Sequence, residues 1–182
     1  MILFRSKPTK KIYQLKSVTD NYKSIDYRNL DVYSLLDNTK DITKLNGTRL
    51  NWWEERGGQF ISDCPFIIGS LPVFDYIKLG SSLSGFDSSF RKAIFDVDNK
   101  KYTAIQANIV SGLLDEEKSS IRWFTSGKIM EIYDYVFNSS VDFPPLFKLK
   151  EYPVYTFCTK DVADKLRDCN FRQLELVECK TN

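Results

Sequence analysis

The sequence predicts an α+β fold, with a mixed, largely antiparallel sheet, a few short helices and a C-terminal strand-helix-strand. Three observations carry that expectation. First, Lys101 to Phe137 holds three apolar runs separated by an acidic connection and a Ser-Gly turn. In Tyr102 to Val110, the residues Thr103, Ile105, Ala107 and Ile109 alternate with Tyr102, Gln106 and Asn108, the period of two that a strand imposes on its side chains. Ile121 to Thr125 is a second run. In the third, Lys128 to Phe137, one face carries Met130, Ile132 and Val136 and the other Ile129, Tyr133, Tyr135 and Phe137, with Ser126-Gly127 as the turn before it. This stretch is expected at the middle of the sheet, covered on both sides. Second, Val154 to Cys158 reads as a strand, Thr159 as the N-cap of a helix over Lys160 to Asp168, and Leu174 to Glu178 as a returning strand. Val162, Leu166 and Cys169 recur at i, i+4 and i+7 and form the apolar stripe of that helix. Third, Phe90 to Val97 and Tyr102 to Val110 flank Asp98-Asn99-Lys100-Lys101, a hairpin turn.

The other elements follow in chain order. Lys11 to Lys16 sets Ile12 and Gln14 against Tyr13 and Leu15, and polar Ser17 to Tyr22 ends the run, which suits an early edge or hairpin strand. In Asp26 to Asn51 apolar residues are scattered among Asp, Asn, Thr and Lys, so only short strands and turns are expected. Thr48 to Trp53 reads as a strand. Glu54-Glu55-Arg56-Gly57-Gly58 reads as a charged loop, and no phosphate-loop or dinucleotide pattern surrounds its glycines. Cys64 to Gly69 suits a buried strand or extended segment, and a short helix is expected from Pro72, a residue favoured in a first turn. Leu113 to Lys118 suits the start of a helical turn, whose dipole Asp115, Glu116 and Glu117 complement. If the last two strands are parallel neighbours, their crossover is right-handed.

At 182 residues the chain fits one globular domain, with an N-terminal lobe over 1–70 and a C-terminal lobe over 71–182 as its natural subdivision. A hydrophobic share of 42% with 14% aromatics suits a packed protein, and a formal net charge of +2 gives no field that would argue for nucleic acid or an anionic membrane as partner. No run approaches the roughly 20 apolar residues of a spanning helix. Met1-Ile2-Leu3-Phe4 is followed by Arg5, Lys7 and Lys10, the reverse of a signal peptide, so a cytoplasmic location is expected. Absence of histidine removes every Ser-His, Cys-His and His-metal mechanism. Cys64, Cys158, Cys169 and Cys179 form no C-x-x-C pair and are expected as buried or partly buried free thiols, so no metal and no cofactor is anticipated.

The run LLDEEKSSI, then a short apolar run, SGKIMEIYDYVF, LFKL and a terminal strand-helix-strand together resemble immunity family eleven of the bacterial polymorphic-toxin systems. KIYQLKSVTDNYKSI (Lys11 to Ile25) is similar to that family's opening, and Leu146 to Glu178 to its close. One departure is that the family's closing helix commonly leads into a Gly, whereas Phe171-Arg172-Gln173 here separates Asn170 from Leu174. The resemblance implies a non-enzymatic immunity protein that binds and neutralises a cognate toxin C-terminal domain, a nuclease among the candidates. The alternatives are an Asp/Glu-dependent enzyme and a weak nucleic-acid-binding module.

Five residues are candidates for toxin binding. Asp115, Glu116 and Glu117 would steer a basic partner, and an exposed Trp52 or Trp53 would anchor it, since neighbours in a strand point to opposite faces. A solvated turn and core packing of both indoles are the competing readings. Asp96 and Asp98, two apart at a strand end, suit a cation or a plain turn. Tyr133 and Tyr135 share a face at strand spacing, which suits a core more than a base-stacking platform.

Overall fold

The computed structural model describes residues 10–18, 20–54, 57–68 and 70–182. The Met1–Phe4 run with Arg5 and Lys7, Glu55 and Arg56 of the charged loop, and Gly69 lie outside the described residues. The strands in chain order are β1 (Ile12–Ser17), β2 (Arg49–Leu50), β3 (Phe66–Ile67), β4 (Leu71–Asp75), β5 (Phe90–Val97), β6 (Lys100–Val110), β7 (Ser120–Trp123), β8 (Ile129–Asp134), β9 (Val136–Phe137), β10 (Leu146–Leu149), β11 (Phe157–Thr159) and β12 (Leu174–Thr181). The helices are α1 (Val32–Leu36), α2 (Tyr76–Leu79) and α3 (Lys160–Asp168). The fold is α+β, with a mixed and mostly antiparallel sheet and a C-terminal strand-helix-strand.

Ten strands form one sheet along the path β2-β5-β6-β10-β11-β1-β12-β9, with β4 also on β6 and β3 on β4. Its axis is the β5–β6 hairpin, paired from Phe90↔Ala107 to Val97↔Lys100. The turn is tighter than the four residues expected: Asp98 and Asn99 take φ of 46° and 67°, the double left-handed step of a type I′ turn that Asn and Asp tolerate. Tyr102 to Ala107 are all buried, so β6 is covered on both faces. One side packs Ile25, Val32, Leu35, Ile42 and Trp52 with Ala93, Phe95, Tyr102 and Ala104. Leu15, Phe74, Ile105, Leu146 and Phe171 gather with the Val162, Ala163 and Leu166 face of α3. A third cluster, at the β9 end, stacks Phe147 on Phe157 and sets Phe137 edge-on to both.

Several expectations are corrected. β1 is interior, not an edge, because it pairs with β11 on one side and β12 on the other, and both its faces are buried at Ile12 to Leu15. It therefore also separates β11 from β12, which are parallel to each other but not neighbours. Asp26 to Asn51 holds α1 and a 3-10 turn at Ile42–Leu45 besides the two-residue β2, because the Asp31 and Asp41 carboxylates cap the N–H groups of Ser34 and Thr43. Only Arg49–Leu50 of the expected 48–53 strand is strand. Pro72 lies within β4, and the helix begins later, at Tyr76, where Asp75 accepts from Ile77 and Lys78 N–H. Leu113 to Lys118 is a turn with no helix beyond it. Thr159 occupies the N-cap of α3 without a side-chain capping bond. At the end of α3 Asn170 adopts φ 52°, so an Asn supplies the left-handed conformation for which Gly is the usual residue.

The expected central stretch is split. β7 and β8 form a separate two-stranded sheet, exposed over most of its length, rather than the middle of the main sheet. The Ser126-Gly127 turn lets the two strands satisfy each other's backbone locally, and Gly127 takes φ 78°, which an L side chain adopts only under strain. In the charged loop the Gly57-Gly58 turn has a steric reason: a Cβ on Gly58 would lie 2.7 Å from the Tyr22 carbonyl carbon and oxygen, at φ 98°.

Candidate protein-binding site

The acidic turn is built on Asp115. Its N–H donates to the Val136 carbonyl at 2.8 Å, and its carboxylate accepts from Lys118 N–H at 3.1 Å and from the Asn182 side-chain amide. Desolvation pushes the Asp115 carboxyl up, but the Lys118 N–H and ammonium, with Asn182, outweigh it and hold it below the usual range. Ser119 Oγ then accepts the Val136 N–H at 3.0 Å, which closes the turn against β9. Asp115 is thus engaged in holding the turn, while Glu116 and Glu117 project into solvent.

From this turn the chain enters β7 directly. The β7–β8 ladder pairs Ser120↔Asp134, Ile121↔Ile132, Arg122↔Glu131 and Trp123↔Ile129, so Tyr133 and Met130 are extra residues at two register shifts. Such bulges re-aim side chains. Ile121, Ile129 and Ile132 face the aromatic cluster below, whereas Tyr133 keeps 59% of its surface in solvent, Trp123 46% and Phe124 48%. Lys180 of β12 bridges to Asp134, which fixes the base of the hairpin to the edge of the main sheet. Tyr135, expected to share a face with Tyr133, is buried instead, because the chain passes there from β8 to β9 and the alternation breaks.

The tryptophans expected as anchors lie elsewhere. Trp52 is 4% exposed and meets Tyr102 edge-on at 5.8 Å, so it is core, which corrects its assignment as an exposed anchor. Trp53 is half-buried, edge-on to Tyr27 at 5.4 Å with the Arg28 guanidinium 5.0 Å over its ring. Both follow β2, whereas the acidic turn hangs on β9, and these are the two ends of the sheet path. The hairpin that follows the acidic turn instead carries Trp123 and Phe124 at its tip, which the sequence reading passed over. Two large aromatics abutting a Thr-Ser-Gly turn have no strand interior in which to be buried, and that signal was available.

Asp98 stands in the β5–β6 turn and Asp96 pairs with Lys101 at 3.4 Å, so the two serve the hairpin end. Among the described residues no three His, Cys, Asp or Glu side chains lie together to hold a metal. The four cysteines are free, Cys64 and Cys158 buried, and burial pushes the Cys179 thiol up to about 12. Among the described residues no helix is long and apolar enough to cross a membrane. No protein-family model matches this sequence, and no curated protein shows significant similarity to it.

Proposed function

We propose that this chain is a cytoplasmic immunity protein that binds a cognate bacterial toxin domain and neutralises it by contact, without cofactor or chemistry of its own. The observation that carries the reading is the β7–β8 hairpin, which rises from the Glu116-Glu117 turn and holds Tyr133 near its base and Trp123 and Phe124 at its tip in solvent. Amphipathic aromatic rings give large contact area at low entropic cost and are the usual anchors of protein interfaces. Carboxylates in the turn speed encounter with a basic partner, and toxins that act on nucleic acid carry basic clefts, so a nuclease domain suits this surface. The resemblance of the order of motifs to that of immunity family eleven points the same way. The Asp/Glu-enzyme reading has less support, because Asp63, Asp75 and Asp96 are engaged with Lys78, Lys100 and Lys101.

The test is co-expression with the toxin domain encoded beside this chain's gene. Growth protection together with a stoichiometric complex on purification is the expected result. A toxin that still kills, with no complex recovered, would remove the reading.

A further inference from the structure

Among the described residues the outer edge of β12 is open along most of its length. In β1 the Leu15 N–H donates to the Thr156 carbonyl, and Lys160 N–H to the Lys11 carbonyl, so odd-numbered residues of β1 turn their backbone polar groups toward β11. Even-numbered ones therefore face β12, and the register Ile12↔Cys179, Gln14↔Val177 and Lys16↔Glu175 makes the odd residues of β12 their partners. That leaves the N–H and C=O of Leu174, Leu176 and Glu178 pointing away from the sheet. Strand β9 covers the edge only at Lys180 and Thr181, and among the described residues none bonds those three backbone pairs. A row of unpaired N–H and C=O groups is a template for an added strand. Beside it runs a groove of about 350 Å³, floored by Leu166, Phe171, Leu174 and Leu176 and rimmed by Arg167 and Glu175, which would take alternate side chains of such a strand.

Charge decides between the two occupants an edge can take. The β12 edge and the adjoining hairpin and turn, residues 174–182 and 113–134, carry seven carboxylates and four cations, a net of −3 in a chain whose net charge is +2. Two copies paired edge to edge would set these acidic faces together, whereas a basic segment would be drawn to them. We propose that the β12 edge receives an extended, basic segment of the toxin domain by strand addition, with the hairpin aromatics contacting the same partner. This rests on the reading of the chain as a toxin-binding protein.

Amide hydrogen exchange of the full chain, with and without the toxin domain encoded beside its gene, reads the edge directly. The expected result is slowed exchange at Leu174, Leu176 and Glu178, and about tenfold or greater weakening of binding by Leu176→Pro. That proline removes an outward N–H and leaves the β1 ladder bonds in place; should the variant fail to fold, exchange in the wild-type chain still decides. Binding that leaves the three amides unchanged overturns strand addition while the immunity reading stands. No binding at all overturns both. Dimerisation that protects the same amides without toxin assigns the edge to a second copy, and overturns the proposal too.

Discussion

Lys148 offers the sharpest thermodynamic test of the fold. It lies on β10 with 0% of its surface exposed, and its ammonium donates to the Leu36 carbonyl at 2.8 Å, where α1 ends. Burial lowers its pKa from 10.5 to about 8, against the opposing pull of the Asp37 carboxylate. Below about pH 8 both folded and unfolded chains hold the proton, and the shift corresponds to a burial penalty of about 3 kcal/mol. Between 8 and 10.5 the unfolded chain binds the proton that the folded chain has released, so this group makes stability rise with pH across that window. From about pH 7 to about pH 9.5 the gain comes to about 2 kcal/mol. Tyr102, Tyr135 and Cys158, whose pKa values burial raises, act in the opposite sense at high pH. They are common to wild type and Lys148→Met, so the difference between the two proteins isolates the lysine. Urea unfolding of both at the two pH values is the assay. Wild type should gain about 2 kcal/mol relative to the variant between them. Parallel pH profiles would refute the buried ammonium.

Three further substitutions test the packing. Leu166→Asp should cost about 3 kcal/mol or more by burying an unpaired charge in the α3 face, and Lys165→Ala under about 0.5 kcal/mol; equal effects in urea melts would show the helix phase to be wrong. Gln106→Leu should cost about 2–4 kcal/mol, because its amide accepts from Ile42 N–H and donates to the Leu35 and Lys40 carbonyls, all left unpaired by an apolar side chain. Gly58→Ala should cost about 1–3 kcal/mol by forcing the chain off the Tyr22 backbone, and an unchanged melting point would contradict that close approach.

Elements whose pattern is local were legible in the sequence, and those set by distant partners were not. The α3 stripe, the β5–β6 hairpin and the Ser126-Gly127 turn each follow from neighbouring residues, and each is present. Asp31 and Asp41 cap a short helix and a 3-10 turn where only short strands and turns were expected, because the scattered apolar residues behind them hid the period. The interior position of β1 depends on pairing with residues more than 140 positions away, which no local pattern encodes. In the candidate site the acidic turn was read correctly as a surface feature at Glu116 and Glu117, whereas Asp115 is drawn into holding it. The alternation expected of Trp52 and Trp53 holds, one core and one half-buried, but the cover that Tyr27 and Arg28 place on Trp53 was not legible from the strand pattern. Tyr133 and Tyr135 were placed on one face by strand parity, whereas a bulge and a change of sheet intervene.

The most direct test of the central claim is titration of the toxin domain's activity with the wild-type chain and with Trp123→Ala, alongside Trp52→Phe as a core control. The account predicts stoichiometric inhibition by the wild type and by Trp52→Phe. It predicts dissociation faster by about 30-fold for Trp123→Ala, the loss of about 2 kcal/mol expected of an aromatic anchor. Full toxin activity at equimolar wild-type chain, or inhibition by Trp123→Ala as tight as wild type, would contradict it.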